Sequence, residues 1–207
     1  RGASTRELAL ELLSQPAAIA LFGHGPRILM PFEEDVLFED LKMSGIEIDR
    51  LAGMFSFFKR SMTEISDDHP DFLMDDDEQA VMSTLRDNLQ LRGAFLEQQI
   101  SANAARYLAV TEGAAHYAHV IADDWQYLSR ASQAMAGLLA HSSLCVAVDT
   151  TAPSEPMLES YPYARGAEEL LRANPQAHIV DLGKFQGPRA IGLALNAVRH
   201  EAGLEPC

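Results

Sequence analysis

The chain is poor in cysteine. Cys145, inside an apolar run, and the terminal Cys207 are the two present in 207 residues, so the sequence writes no disulfide framework. Long hydrophobic runs are missing too: none reaches the roughly 18 residues that a membrane-spanning helix needs. No signal-peptide pattern is visible, and the start at Arg1 rather than Met leads us to expect a trimmed N-terminal segment. Positive charge is scarce, with 16 Lys and Arg against 30 Asp and Glu and a formal net charge of −14. Such a surface repels phosphate backbones and argues against nucleic-acid partners. A small-molecule substrate or a basic protein partner fits it better. The phosphate-cradling Gly-rich loops and the GxSxG nucleophile elbow are all missing.

What is present is ordinary globular material, 47% hydrophobic and 22% charged, long enough for one sizeable core. The composition suits a bacterial cytoplasmic protein or an effector delivered elsewhere. Apolar periodicity predicts a first helix to about Ser14, with Leu8, Leu12 and Leu13 on its inner face and Pro16 ending it. Ala17–Phe22 is a continuous apolar run and reads as a buried strand, with Arg27–Met30 as a second short strand or its continuation. Helices follow over Glu33–Met43, closed by Gly45, and over Asp49–Ile65, where Met54, Phe55, Phe58 and Met62 recur at core spacing. The acidic stretch Ser66–Glu78 reads as a solvated loop, and Glu78 to about Ala104 as the longest helix. Arg106–Val110, Leu144–Asp149 and His178–Leu182 read as strands. Helices are expected between them over Gln126–Ala140 and Gly166–Ala173, Thr150–Pro162 is a Pro-rich loop, and a closing helix starts at Pro188.

Strands separated by helices predict a single α/β domain over 1–207, with a helical insertion over about 47–104. Its sheet would be mostly parallel, with four to five short strands flanked by many helices. Parallel sheets carry their ligand groups at the carboxyl ends of the strands. That rule selects Gly23-His24, the stretch Thr111–His119, Asp149-Thr150 and Asp181.

The stretch Thr111–His119 holds the densest chemistry. A helix starting near Gly113 would put His116 and His119, three apart, on one face, with Glu112 four residues before His116. Two imidazoles beside a carboxylate can hold a metal or work as base and acid, and can equally be two exposed histidines at a helix start. His24 sits between two glycines, which permit close approach of a ligand or simply make a turn. Arg92 can hold an anionic group bidentately, or serve as a surface charge. Asp149 ends a strand and can bind substrate or cap a helix. His69, His141, His178 and Arg189 have no compelling context. Ser142 and Ser143 precede a strand, the wrong place for a nucleophile elbow.

The segment Leu91–Ile100, the strand-like Leu108-Ala109-Val110 and the turn Gly113-Ala114-Ala115-His116 follow one another in a familiar order. So do Gly137-Leu138-Leu139 before Cys145–Val148, and Glu168–Leu171 before Ile179–Leu182. Over about 85–185 this order resembles the group containing erythromycin esterases, the haem-binding ChaN-like proteins and related toxin domains. Ala115-His116-Tyr117-Ala118-His119 is similar to the esterases' Ala-His-Asn-Ala-His. The group's Gly-Glu-x-His element has no Glu here, where the chain reads Phe22-Gly23-His24-Gly25. The resemblance implies His24 and His116 facing each other across strand ends, with haem or a divalent metal as candidate cofactor. The expected function is hydrolysis of an ester or amide bond. His116 would be its base, His24 or His119 its support and Arg92 the holder of an acidic substrate group, with Glu112, His119 and Asp149 lining the substrate. The alternative is a non-catalytic haem- or metal-binding protein, or a degenerate toxin- or effector-like interaction domain.

Overall fold

The computed structural model describes residues 2–42, 45, 47–62, 76–112, 114, 116–148, 161–163 and 165–179. The chain divides into two compact units, 1–169 and 170–207. The described elements are α1 (Thr5–Leu13), α2 (Pro16–Phe22), α3 (Pro31–Lys42), α4 (Ile48–Met62), α5 (Asp76–Arg92), α6 (Gln99–Val110), β1 (Tyr117–Ala122), a 3-10 turn (Trp125–Tyr127), α7 (Arg130–Leu139), β2 (Ala140–Val146) and α8 (Gly166–Ala173). Among them no helix is long and apolar enough to cross a membrane.

The four- to five-stranded sheet is not what forms. The fold is mostly helical, and its sheet among the described residues is a single parallel pair, β1–β2. Two apolar runs read as strands are helices. Pro16 does not only end α1; it is the first residue of α2, whose missing N–H costs nothing there, and Gly23 closes that helix at φ +79°. Residues 106–110 complete α6, whose Ile100, Ala104, Ala105 and Leu108 are buried at helical spacing. A short apolar run satisfies a buried helix turn and a buried strand equally, so periodicity alone could not separate them. His178 and Ile179 are described and are not strand, whereas 180–182, the loops over 66–75 and 150–160 and the closing helix at 188 lie outside the described residues.

The long helix expected over 78–104 breaks at Gly93. Gly93 has φ +57°, its N–H donates to Gln90 O at 3.0 Å, and the Ala94 N–H reaches back to Leu89 O at 3.1 Å. This pair of bonds is a Schellman closure, which satisfies two carbonyls left over at the end of α5. The chain then runs extended, and Ile28 and Phe95 make a parallel bridge, with Leu29 N–H on Phe95 O at 2.9 Å and Phe95 N–H on Arg27 O at 2.8 Å.

That bridge is the seam between two hydrophobic clusters. Side chains alternate across extended backbone. Ile28 and Phe95 face the cluster built by α1, α2, α6 and α7, around Leu13, Ile100, Tyr107, Met135 and Leu139. Leu29, Ala94 and Leu96 face the cluster built by α3, α4 and α5, around Leu37, Leu51, Phe58 and Leu85. Met54, Phe55 and Phe58 are core packing of the second cluster, as their spacing predicted.

β1, α7 and β2 form a β-α-β unit, since parallel neighbours need a crossover of this length. Ser129 caps α7 by accepting the Ser132 N–H. Inside the unit the buried Gln133 amide donates to Trp125 O, Leu128 O and Tyr163 O at 3.0–3.2 Å, tying residue 163 to the loop before α7. Gly166 is required there, because a Cβ would lie 1.7 Å from Gln133 Oε1.

Candidate functional site

The residues expected to converge are dispersed. His24 follows α2, donates its Nδ1–H to Gly25 O at 2.8 Å, and lays its ring 4.4 Å from the Phe95 ring centroid. Arg92, at the end of α5, is ion-paired with Asp40 of α3 at 2.8 Å. Glu112 is an exposed turn residue after α6, and Asp149 lies outside the described residues. His24 and His116 do not face each other: no contact joins them among the described residues, and each has its own separate partners.

The helical face proposed for His116 and His119 is also overturned. His119 is inside β1, and His116 immediately precedes it. The motif therefore enters a strand rather than leaving one, and the histidines stand at the amino ends of the strands. The open face of the pair carries Tyr117, His119 and Ile121, all exposed, while Val120 packs toward the core.

Another cluster takes their place. The His116 Nδ1 lies 3.0 Å from Leu138 O in the last turn of α7. A carbonyl only accepts, so Nδ1 carries the proton and Nε2 keeps its lone pair. The ring faces His141, centroid to centroid 6.5 Å. His141 is brought there by an irregularity of register. Tyr117 pairs with Ala140 and His119 with Ser143, so one residue of β1 opposes two of β2, His141 and Ser142. An extra residue of this kind is a β-bulge, which re-aims side chains. One register step on, His119 Nδ1 is hydrogen-bonded to Ser143 Oγ at 2.9 Å. All four side chains are exposed.

His141 has no local context in the sequence because its proximity to His116 exists only through the parallel register and the bulge. Two histidine-bearing runs about twenty residues apart, with a helix between them, were the available signal.

Among the described residues no group of three or more His, Cys, Asp or Glu converges as a metal site, so protein donors at this cluster number two. Ring distance is compatible with one ion. Two imidazoles on a shared metal, with metal–nitrogen bonds of about 2.0–2.1 Å, hold their centroids roughly 5–6 Å apart. Rotation of two exposed side chains closes the small remainder. Haem does not fit as well, because it needs its axial histidine in an apolar cleft and His116 is exposed beside another polar ring. Comparisons of the chain with protein-family models, with curated proteins and with solved structures each find no match.

Proposed function

We propose that this chain binds a divalent transition-metal ion through His116 and His141. The observation that carries the reading is the His116 ring held with its Nδ1–H on the Leu138 carbonyl and its ring toward His141. Ligating histidines commonly donate their other ring N–H to a carbonyl in this way, which fixes the tautomer and aims the free nitrogen. Neutral imidazole suits zinc, copper and nickel rather than magnesium or calcium. Water would complete the coordination, which suits a sensing, carrying or docking role better than a closed structural site.

Titration of the protein with Zn²⁺ or Ni²⁺, followed by calorimetry and by histidine NMR signals, tests this. One ion per chain is expected. His116→Ala and His141→Ala should each weaken binding by about tenfold or more, the equivalent of ~1.4 kcal/mol, while His24→Ala leaves it unchanged. Equal binding by wild type and both variants would remove the proposal.

A second reading is favoured by one hydrogen bond, that between His119 and Ser143. A hydroxyl on an imidazole is the arrangement that activates serine for attack on an ester or amide. In this reading Ser143 is the nucleophile and His119 its base, and the hydrolase role expected for His116 moves one register step along the sheet. Turnover of small activated esters should then fall by about 10²-fold or more in Ser143→Ala and His119→Ala alike. Turnover that survives Ser143→Ala would exclude it.

A further inference from the structure

The histidine pair is short of donors. Among the described residues, His116 and His141 meet no third His, Cys, Asp or Glu able to join them on an ion. Zinc held by nitrogen donors prefers four ligands in a tetrahedron. One chain therefore fills two positions and leaves two. Both rings are exposed, so donors from outside the chain can reach an ion held there.

The surroundings of the pair suit approach by another protein. In a chain of formal net charge −14, charged residues are missing from 113–122 and again from 131–148. These stretches contain both histidines and both strands. Glu112 and Asp123 bound the first, and Arg130 and Asp149 bound the second. Strands open to solvent usually carry charged side chains, which discourage a second chain from settling on them. Here the exposed side chains beside the histidines are Tyr117, Leu138, Ser142 and Ser143. A parallel pair is also normally covered on both faces, whereas this one leaves Tyr117, His119 and Ile121 exposed.

Charge selects the occupant. Two copies of so acidic a chain repel each other, and the uncharged strand pair is where contact puts no like charges directly together. A divalent cation between two acidic chains adds attraction. In an isologous contact the same patch meets itself across a two-fold axis. Each copy then supplies the two donors that the other is missing. We infer that one Zn²⁺ links two copies of this chain, held by His116 and His141 of both. The coordinate bonds carry the association, so the protein contact around them can be small. This inference rests on the metal reading of the same pair.

Sedimentation equilibrium of the full chain across a Zn²⁺ titration tests it. The metal-free chain should be monomeric. The dimer should peak at one ion to two chains and dissolve on adding chelator. Excess Zn²⁺ should return monomers, each with its own ion completed by water. That rise and fall distinguishes a shared ion from a dimer that merely tolerates metal. His116→Ala and His141→Ala should each abolish the peak, and His24→Ala should leave it in place. Zn²⁺ bound one to one, with the chain monomeric at every ratio, overturns the dimer and leaves the metal site standing. No Zn²⁺ bound overturns both. A dimer that survives chelator, or that forms equally in His141→Ala, overturns the shared ion.

Discussion

His24 and His116 make the same local bond and stand in opposite surroundings. Each ties its Nδ1–H to a backbone carbonyl, Gly25 O in one case and Leu138 O in the other. The His24 ring then meets Phe95, a member of the first hydrophobic cluster, and its Cβ lies 3.5 Å from where a Cβ on Gly93 would stand. The His116 ring meets His141 and solvent. A tautomer fixed by a carbonyl is therefore no sign of function by itself. What the ring meets is the difference: at His24 it is packed against the Phe95 ring, at His116 it stands 6.5 Å from another imidazole.

The comparison breaks first at His24. Removing its ring deletes the contact with Phe95, of about 0.5–1.5 kcal/mol, and a hydrogen bond of similar size. His24→Ala should cost about 1–2 kcal/mol in denaturant unfolding, with no loss of Zn²⁺ binding. Metal affinity that falls with His24→Ala would merge the two histidines into one site and undo the contrast.

Gly93→Ala should cost less, about 1 kcal/mol. At φ +57° an L side chain is strained by roughly 1–2 kcal/mol, partly offset by a less flexible unfolded chain. The 3.5 Å approach to His24 is ordinary contact and adds little. The same loss should therefore appear in a His24→Ala background. A loss that disappears there would mean the glycine is kept to make room for the imidazole rather than to close α5.

These two residues also show what could be read without coordinates. The helices of α1, α3, α4 and α8 were legible because their apolar positions recur at helical spacing. The core role of Met54 and Phe58 was legible for the same reason. The run 17–22 was not, since PAAIALF is continuous apolar sequence whose Pro at the first position and Gly after the last are helix punctuation that strand reasoning overrode. Tyr117–Ala122 failed in the opposite sense. The small residues before it suggested a helix start, yet from His119 to Ala122 its exposure alternates residue by residue, as in a strand with one side open. The site suffered most from this exchange of periods. His116 was found, but its expected partner His24 was assigned through strand ends that do not exist, and its actual neighbour His141 depends on a bulge that no local pattern announces.

The smallest effect expected is on the stability of His116→Ala, and it is the most discriminating. The Leu138 carbonyl belongs to the last turn of α7, where carbonyls have no partner in the helix. His116 supplies one, so a purely structural account of this histidine exists: it caps α7 from the neighbouring strand. That account predicts a stability loss with no metal phenotype. The bond is exposed, however, and water replaces an exposed donor cheaply, so the loss should stay within about 0.5 kcal/mol. His116→Gln sharpens the test, because its side-chain N–H can restore the bond to the carbonyl without offering an imidazole nitrogen. Recovered stability together with lost Zn²⁺ binding would separate the cap from the ligand. Zn²⁺ affinity retained in His116→Gln would leave the cap as the whole role of the residue and place the two histidines of this comparison in one class.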